Sequence, residues 1–133
     1  MYAVELRDHI MVAHSLQAAA FGPAQRLHGA TYVVDVAFLR LAIGPDNVVI
    51  DIARGLEALK AALAPLNYAN LDDLFPGAVT TTEFLCRHIF TRLAAAARDG
   101  ALGPAGRELA RIRVTLHESH IARAWYEGAL SDA

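Results

Sequence analysis

The spacing of apolar and polar positions changes twice along the chain. Residues 2–14 alternate loosely and end in Ile10-Met-Val-Ala-His14, which predicts a strand. From His28 to Ile43 the chain is rich in Tyr, Val, Phe and Thr, and a second strand is expected. With period 2, His28, Ala30, Tyr32, Val34, Val36 and Phe38 share one face of it. Beyond the turn Gly44-Pro-Asp-Asn47 the period lengthens. Ile52, Leu56, Leu59 and Leu63 recur at helical spacing, with Asp51 placed to cap the helix and Pro65 to stop it. Asn67 to Gly77 reads as a polar connection. A second helix is expected from Thr80, with Leu85, Ile89 and Leu93 on one stripe, running out near Gly100. After the loop Gly100–Gly106, period 2 returns: Ala110, Ile112, Val114 and Leu116 alternate with Arg111, Arg113 and Thr115. Continued, that alternation puts Glu118 and His120 on the apolar face and His117 on the other. Ile121 to Leu130 closes a hairpin.

The order is β-β-α-α-β-β, an α+β class. The expected architecture is one domain over residues 1–133, a four-stranded antiparallel sheet with two helices on one face. The opposite face also looks apolar, through Val33, Ala37 and Leu39, and the sheet edges are uncovered. Such a surface calls for partner chains, so a homo-oligomer is expected.

Composition narrows the class. A net charge of −2 gives no broad attraction to nucleic acid or anionic lipid, so neither partner is expected. Cys86 is the only cysteine, which excludes an internal disulfide and a thiolate metal cluster. Apolar runs such as Leu93 to Ala97 are too short to span a membrane. The first residues lack the basic start and long apolar stretch of a signal peptide, so a cytoplasmic protein is expected.

Six short motifs, in order, carry a resemblance. Ile10-Met-Val-Ala-His14 is similar to Phe-Ser-Ala-Ala-His, and Leu27-His-Gly-Ala-Thr-Tyr32 to Leu-His-Gly-His-Asn-Tyr. Val48-Val-Ile-Asp-Ile52 resembles Met-Val-Xaa-Asp-Phe, and Leu66-Asn-Tyr-Ala-Asn-Leu-Asp72 resembles Leu-Asp-His-Xaa-Xaa-Leu-Asn. Thr80-Thr-Thr-Glu83 resembles Pro-Thr-Xaa-Glu. Val114-Thr-Leu-His-Glu118, with Ala124-Trp-Tyr126 after it, resembles Val-Xaa-Val-Xaa-Glu-Thr followed by Ala-Xaa-Tyr. These are motifs of the 6-pyruvoyl and 6-carboxy-tetrahydropterin synthases, and the match covers about residues 8–128. The resemblance implies the tunnelling fold, in which trimers close their sheets into a barrel and two trimers stack into a hexamer. It also implies a pterin-like ligand at subunit interfaces and a lyase reaction on dihydroneopterin triphosphate or a related heterocycle.

The departures matter as much. The family's three zinc-ligand positions fall on His14, His28 and Ala30, so the resemblance leaves zinc open but weakened by the alanine. The family's cysteine position is Ala24, and its Asp-His pair falls on Asn67 and Tyr68. A phenol with a pKa near ~10 is a poor base at neutral pH. The ring-recognition end is kept: the resemblance implies that Glu118 takes the guanidine-like edge of a pterin, with Thr81 and Thr82 beside it. Two parallel acceptor oxygens suit that edge.

Each candidate has a plainer reading. Glu118 can pair with Arg123 at the surface, and Thr80-Thr-Thr-Glu83 has the form of a capping box. His14 and His28 can form a polar cluster without metal. His120 is the candidate third ligand or acid-base group, or else a turn histidine. Tyr68 is a candidate proton donor, or an aromatic over the pocket. Cys86 suits packing. Two functions follow from these readings: a pterin-type lyase with altered chemistry, or a pterin- or purine-binding pseudoenzyme.

Overall fold

A computed structural model describes all of residues 1–133. Strands β1 (Tyr2–His14) and β2 (His28–Arg40) pair antiparallel over their whole length, from Tyr2 opposite Arg40 to His14 opposite His28. After them come α1 (Ile52–Leu63), β3 (Ala69–Asn70), α2 (Leu71–Leu74), α3 (Thr82–Arg98), β4 (Arg111–His117) and β5 (Arg123–Gly128). The sheet order is β3-β1-β2-β4-β5. Even-numbered residues of β1, β2 and β4 face the helices; Ile10, Val34, Val36, Phe38, Ile112, Val114 and Leu116 are fully buried there. α3 covers β4 and β5, while α1 lies against β1 and α3. This is the expected α+β arrangement, with one more strand.

The fifth strand, β3, comes from the stretch read as a polar connection. It pairs parallel with β1 at Val12 and Ala13. Asn67 Oδ1 accepts the Met11 N–H at 3.0 Å, and the Tyr68 N–H donates to the Met11 carbonyl at 2.6 Å. A side chain thus stands in for part of a backbone ladder, and two residues are too few to show a period. Leu71, fully buried, anchors the segment.

Two boundaries and one helix face move as well. The α3 cap is Thr81, whose hydroxyl accepts the Phe84 N–H at 3.2 Å, so no capping box forms from Thr80. Thr80 is spent elsewhere, on His14. β4 stops at His117, and the Glu118 and Ser119 N–H groups both turn onto the Ala122 carbonyl. On α1, Ile52 and Leu56 are 52% and 44% exposed, and the buried face runs through Gly55, Ala58, Leu59, Ala62 and Leu63. A Cβ on Gly55 would sit 2.8 Å from both Ile50 Cδ1 and Leu6 Cδ1, so the helix meets the sheet at its smallest residue.

The face opposite the helices is charged rather than apolar. Asp35, buried on β2, accepts from Arg7 through both oxygens (2.6 and 2.8 Å) and lies 2.7 Å from His117 Nε2. Glu127 accepts from Arg111 and Arg113, and Arg113 lies over the Trp125 ring. Val33 and Leu39 are only half-buried between these groups.

Candidate functional site

β4 pairs with β2 only from Leu39 to Val33, so residues 28–32 of β2 have β1 on one side and no strand on the other. At that missing corner lies a cleft of about 770 Å³. The end of β1 and the start of β2 supply His14, His28, Ala30 and Tyr32. The start of α3 supplies Thr81, Thr82 and Glu83. The β4–β5 turn supplies Glu118, Ala122 and Arg123, and the β1–β2 connection supplies Leu16, Phe21 and Ala24. Of the residues singled out in the sequence, His14, His28, Thr81, Thr82 and Glu118 therefore line one cavity.

The strand register places the two imidazoles directly across from each other, with ring centroids 4.7 Å apart. His14 Nδ1 lies 3.0 Å from the Thr80 carbonyl and 3.0 Å from its hydroxyl. A carbonyl only accepts, so Nδ1 carries the proton and Nε2 of the neutral ring keeps its lone pair. His28 repeats the pattern, with Nδ1 2.8 Å from the Arg26 carbonyl. Burial, reinforced by the His28 ring, pushes the His14 pKa below its usual range. Just beyond His14, Asp72 accepts from the Ser15 N–H and hydroxyl and holds the chain as it leaves β1. Tyr32 forms the buried wall, and burial pushes its phenol upward against the opposing effect of Thr82.

The sequence profile of the 6-pyruvoyl tetrahydropterin synthase family matches residues 3–129. The chain belongs to that family. Its fold is similar to a 6-pyruvoyl tetrahydropterin synthase from Caenorhabditis elegans, 23% identical, with a TM-score of 0.79 over 96% of each chain. A Plasmodium vivax synthase is 17% identical, with a TM-score of 0.72 over 97% of this chain and 99% of that one. An uncharacterised protein from Wolinella succinogenes is 12% identical, with a TM-score of 0.67 over 94% of this chain and 97% of that one. At these identities the likeness carries the fold alone. No curated protein matches the sequence closely enough to add a relative. No helix is long and apolar enough to cross a membrane.

Within this family member, the donor set for zinc is incomplete. Two Nε2 atoms are free, and each ring is held through Nδ1 by a carbonyl, the usual outer support of a metal ligand. No third ligand joins them, since no group of three or more His, Cys, Asp or Glu side chains is placed to hold a metal. A catalytic zinc takes three protein ligands. This chain's residues do not fit that requirement.

His120 lies outside the cleft, exposed in the β4–β5 turn. The alternation that would have carried it inward ends at His117, where the chain reverses. Tyr68 is also elsewhere: it is 80% exposed, with φ at +59°, in a separate cavity of about 440 Å³ that Asp8, His9, Lys60 and Asn67 also line. Glu118 is exposed rather than desolvated among apolar neighbours, and it forms no ion pair with Arg123. Glu83, in the first turn of α3 without a capping box, is left to line the cleft. Cys86 is fully buried, its Sγ donates to the Ala124 carbonyl, and burial pushes its thiol up to about 11. It stays protonated and cannot replace the family cysteine at Ala24. Three site residues escaped the sequence reading. The Thr80 contact to His14 spans 66 positions and leaves no local signal. Tyr32 looked like ordinary core, and Arg123 was read only as a partner for Glu118.

Proposed function

We propose that this cleft binds a reduced pterin or a related purine-like heterocycle, and that the chain acts on it as a lyase with chemistry altered from the family reaction. The observation that carries the reading is the convergence of Glu118, Thr81 and Thr82 on the cavity that holds His14 and His28. Glu118 offers two acceptor oxygens to the N–H-rich edge of the ring, and the two threonines lie where they can take neighbouring polar atoms. His14 and His28 are the groups left for proton transfer, because Ala24 supplies none and Cys86 is withdrawn. The same reading carries a homo-oligomer of three or six chains. Tyr68 is exposed and does not line the cleft of its own chain, so in such an assembly it would serve a neighbour's cleft.

The second reading is binding without turnover, favoured by the alanines at positions 24 and 30. One experiment addresses both. Calorimetry with neopterin, 7,8-dihydropterin and guanine compares the wild type with Glu118→Ala and Glu118→Gln. A hydrogen bond to a charged group contributes ~1.5–3 kcal/mol, so each substitution should weaken binding by about tenfold or more. Glutamine keeps only one acceptor oxygen and should not rescue. Equal affinities in all three proteins would remove Glu118 from the site. Incubating the wild type with reduced pterins and following product by chromatography separates lyase from binder: an unchanged substrate leaves the binding reading alone.

A further inference from the structure

We infer that the cleft selects heterocycles carrying a short alkyl substituent over hydroxylated ones, and that Phe21, with Leu16, Ala24 and Ala30, forms the wall that takes it. This rests on the ring-binding reading of Glu118, and it holds whether or not the bound molecule turns over.

The first support is the origin of the apolar side chains. The strand ends, the start of α3 and the β4–β5 hairpin bring the polar lining, whereas the β1–β2 connection offers the cleft only Leu16, Phe21 and Ala24. Polar side chains of that connection are spent on other partners. The Ser15 hydroxyl donates to Asp72 at 2.6 Å and accepts from Gln17 at 2.6 Å, and the Gln25 amide donates to the Gly22 carbonyl at 3.1 Å. None of Ser15, Gln17 and Gln25 lines the cleft. The backbone closes in the same way: the Leu16 N–H donates to the Ala24 carbonyl at 2.9 Å, which brings residues 16 and 24 together. Ala30, two residues after His28 on the same face of β2, continues the apolar lining onto the strand.

The second support is that core packing does not account for these side chains. Leu16, Phe21 and Ala24 are half-buried, yet none of them packs against the hydrophobic core, which Val12, Tyr32 and the partly buried Ala30 do reach. Their apolar surface faces water in the empty cleft, and covering it is favourable. Each methylene buried there is worth about a fourfold gain in affinity. A hydroxyl pressed against the same wall gives up its water and meets no partner. Ala24 and Ala30 stand where the resemblance places a cysteine and a histidine, so the wall lacks polar groups at two points. The acceptors that oppose this preference are the free Nε2 atoms of His14 and His28, and hydroxyls that reached them would reverse it.

The test uses three ligands that share a ring: unsubstituted pterin, 6-propylpterin and neopterin. The last two have the same three-carbon chain and differ in its hydroxyls. Their dissociation constants are measured by calorimetry on the wild type, Phe21→Ala, Phe21→Leu, Ala24→Ser and Glu118→Ala. The wild type should bind 6-propylpterin about tenfold or more tightly than neopterin. Phe21→Ala should weaken 6-propylpterin by about fivefold and leave pterin and neopterin within about twofold of wild type, while Phe21→Leu keeps most of the preference. Ala24→Ser, which adds a hydroxyl to the same wall, should narrow the preference independently. Phe21 and Ala24 lie outside the core, so these variants should fold, and matching thermal melts check this. A preference untouched by Phe21→Ala would overturn the assignment, as would an equal loss for all three ligands. Tighter binding of neopterin than of 6-propylpterin to the wild type would also overturn it, the hydroxyls then meeting His14 or His28. If pterin does not bind, or binds Glu118→Ala as well as the wild type, the ring-binding reading fails and takes this inference with it. If pterin binds through Glu118 and the two chains bind alike, only the apolar wall falls.

Discussion

Asp35 shows how one side chain can organise a sheet face and leave a measurable trace in pH. It accepts two hydrogen bonds from Arg7 and faces His117 Nε2, so three strands meet on one carboxylate. The Arg7 guanidinium, assisted by His117, holds its pKa below the usual carboxylate range against the opposing effect of burial. A carboxylate depressed in the folded state contributes stability that is complete above its unfolded pKa of ~3.9 and is lost as pH falls through the folded value. Asp35→Asn should therefore flatten the decline of stability with acid below about pH 5 while lowering stability at neutral pH. The neutral-pH loss should be about 1.5–3 kcal/mol, the range for hydrogen bonds to charged groups. Urea melts at pH 7, 5 and 3 on both proteins measure it. Parallel pH curves would mean that the carboxylate gains nothing from its neighbours. The sequence shows an aspartate among valines at this position and nothing more, because Arg7 and His117 are 28 and 82 positions away.

At the level of elements, strong periodic signals were legible and short or side-chain-built features were not. β1, β2, α3 and the β4–β5 hairpin could be read from period and turn residues, because each buries a continuous stripe. The α1 stripe was half legible: Leu59 and Leu63 are buried as expected, but Ile52 and Leu56 are not, since the rest of the contact face is Gly55, Ala58 and Ala62, residues too small to stand out as apolar. β3 has no period to detect. The candidate site was legible as far as strand alternation reaches: His14 and His28 follow from phase and motif, and Glu118 from motif alone, because like His120 it lies past the end of β4, as Tyr68 lies past the end of α1. The start of α3 separates two neighbouring threonines by function. Thr81 caps the helix, and Thr80, 0% exposed, holds His14. Thr81→Ala should cost ~1 kcal/mol of unfolding free energy, as loss of an N-cap does. Thr80→Val keeps the shape and the carbonyl but removes the hydroxyl, so its effect should appear in the His14 imidazole signals by NMR rather than as a frayed first turn. Hydrogen exchange at Phe84 discriminates them: it should rise in Thr81→Ala and stay unchanged in Thr80→Val. The reverse pattern would return the cap to Thr80.

For the whole molecule, the reason to assemble differs from the one composition suggested. The open sheet face is not an apolar surface in search of cover, because its arginines and carboxylates largely satisfy one another. What remains uncovered is backbone. β3 pairs with β1 only at Val12 and Ala13, so most of the outer edge of a 13-residue strand is unpaired, and the outer edge of β5 is free over six residues. Such edges recruit strands. The two edges lie at opposite sides of one sheet, so pairing β5 of one chain with β1 of the next is a head-to-tail contact, which closes into a ring when the rotation permits. Exposed Tyr2, Met11 and Trp125, all on the flanking strands, would add apolar contact to that seam. Closing the ring brings the charged faces inward with Asp35 and Glu127 already paired, which limits the cost of burying them. Light scattering after size exclusion at micromolar concentration should therefore give three or six times the 14.3 kDa chain mass. The mass should hold in about 0.5 M salt, since backbone hydrogen bonds and apolar contacts are screened far less than surface ion pairs. A species that falls to monomer in salt would mean that charge holds the chains together, and a monomer at low salt would leave both edges open in solution.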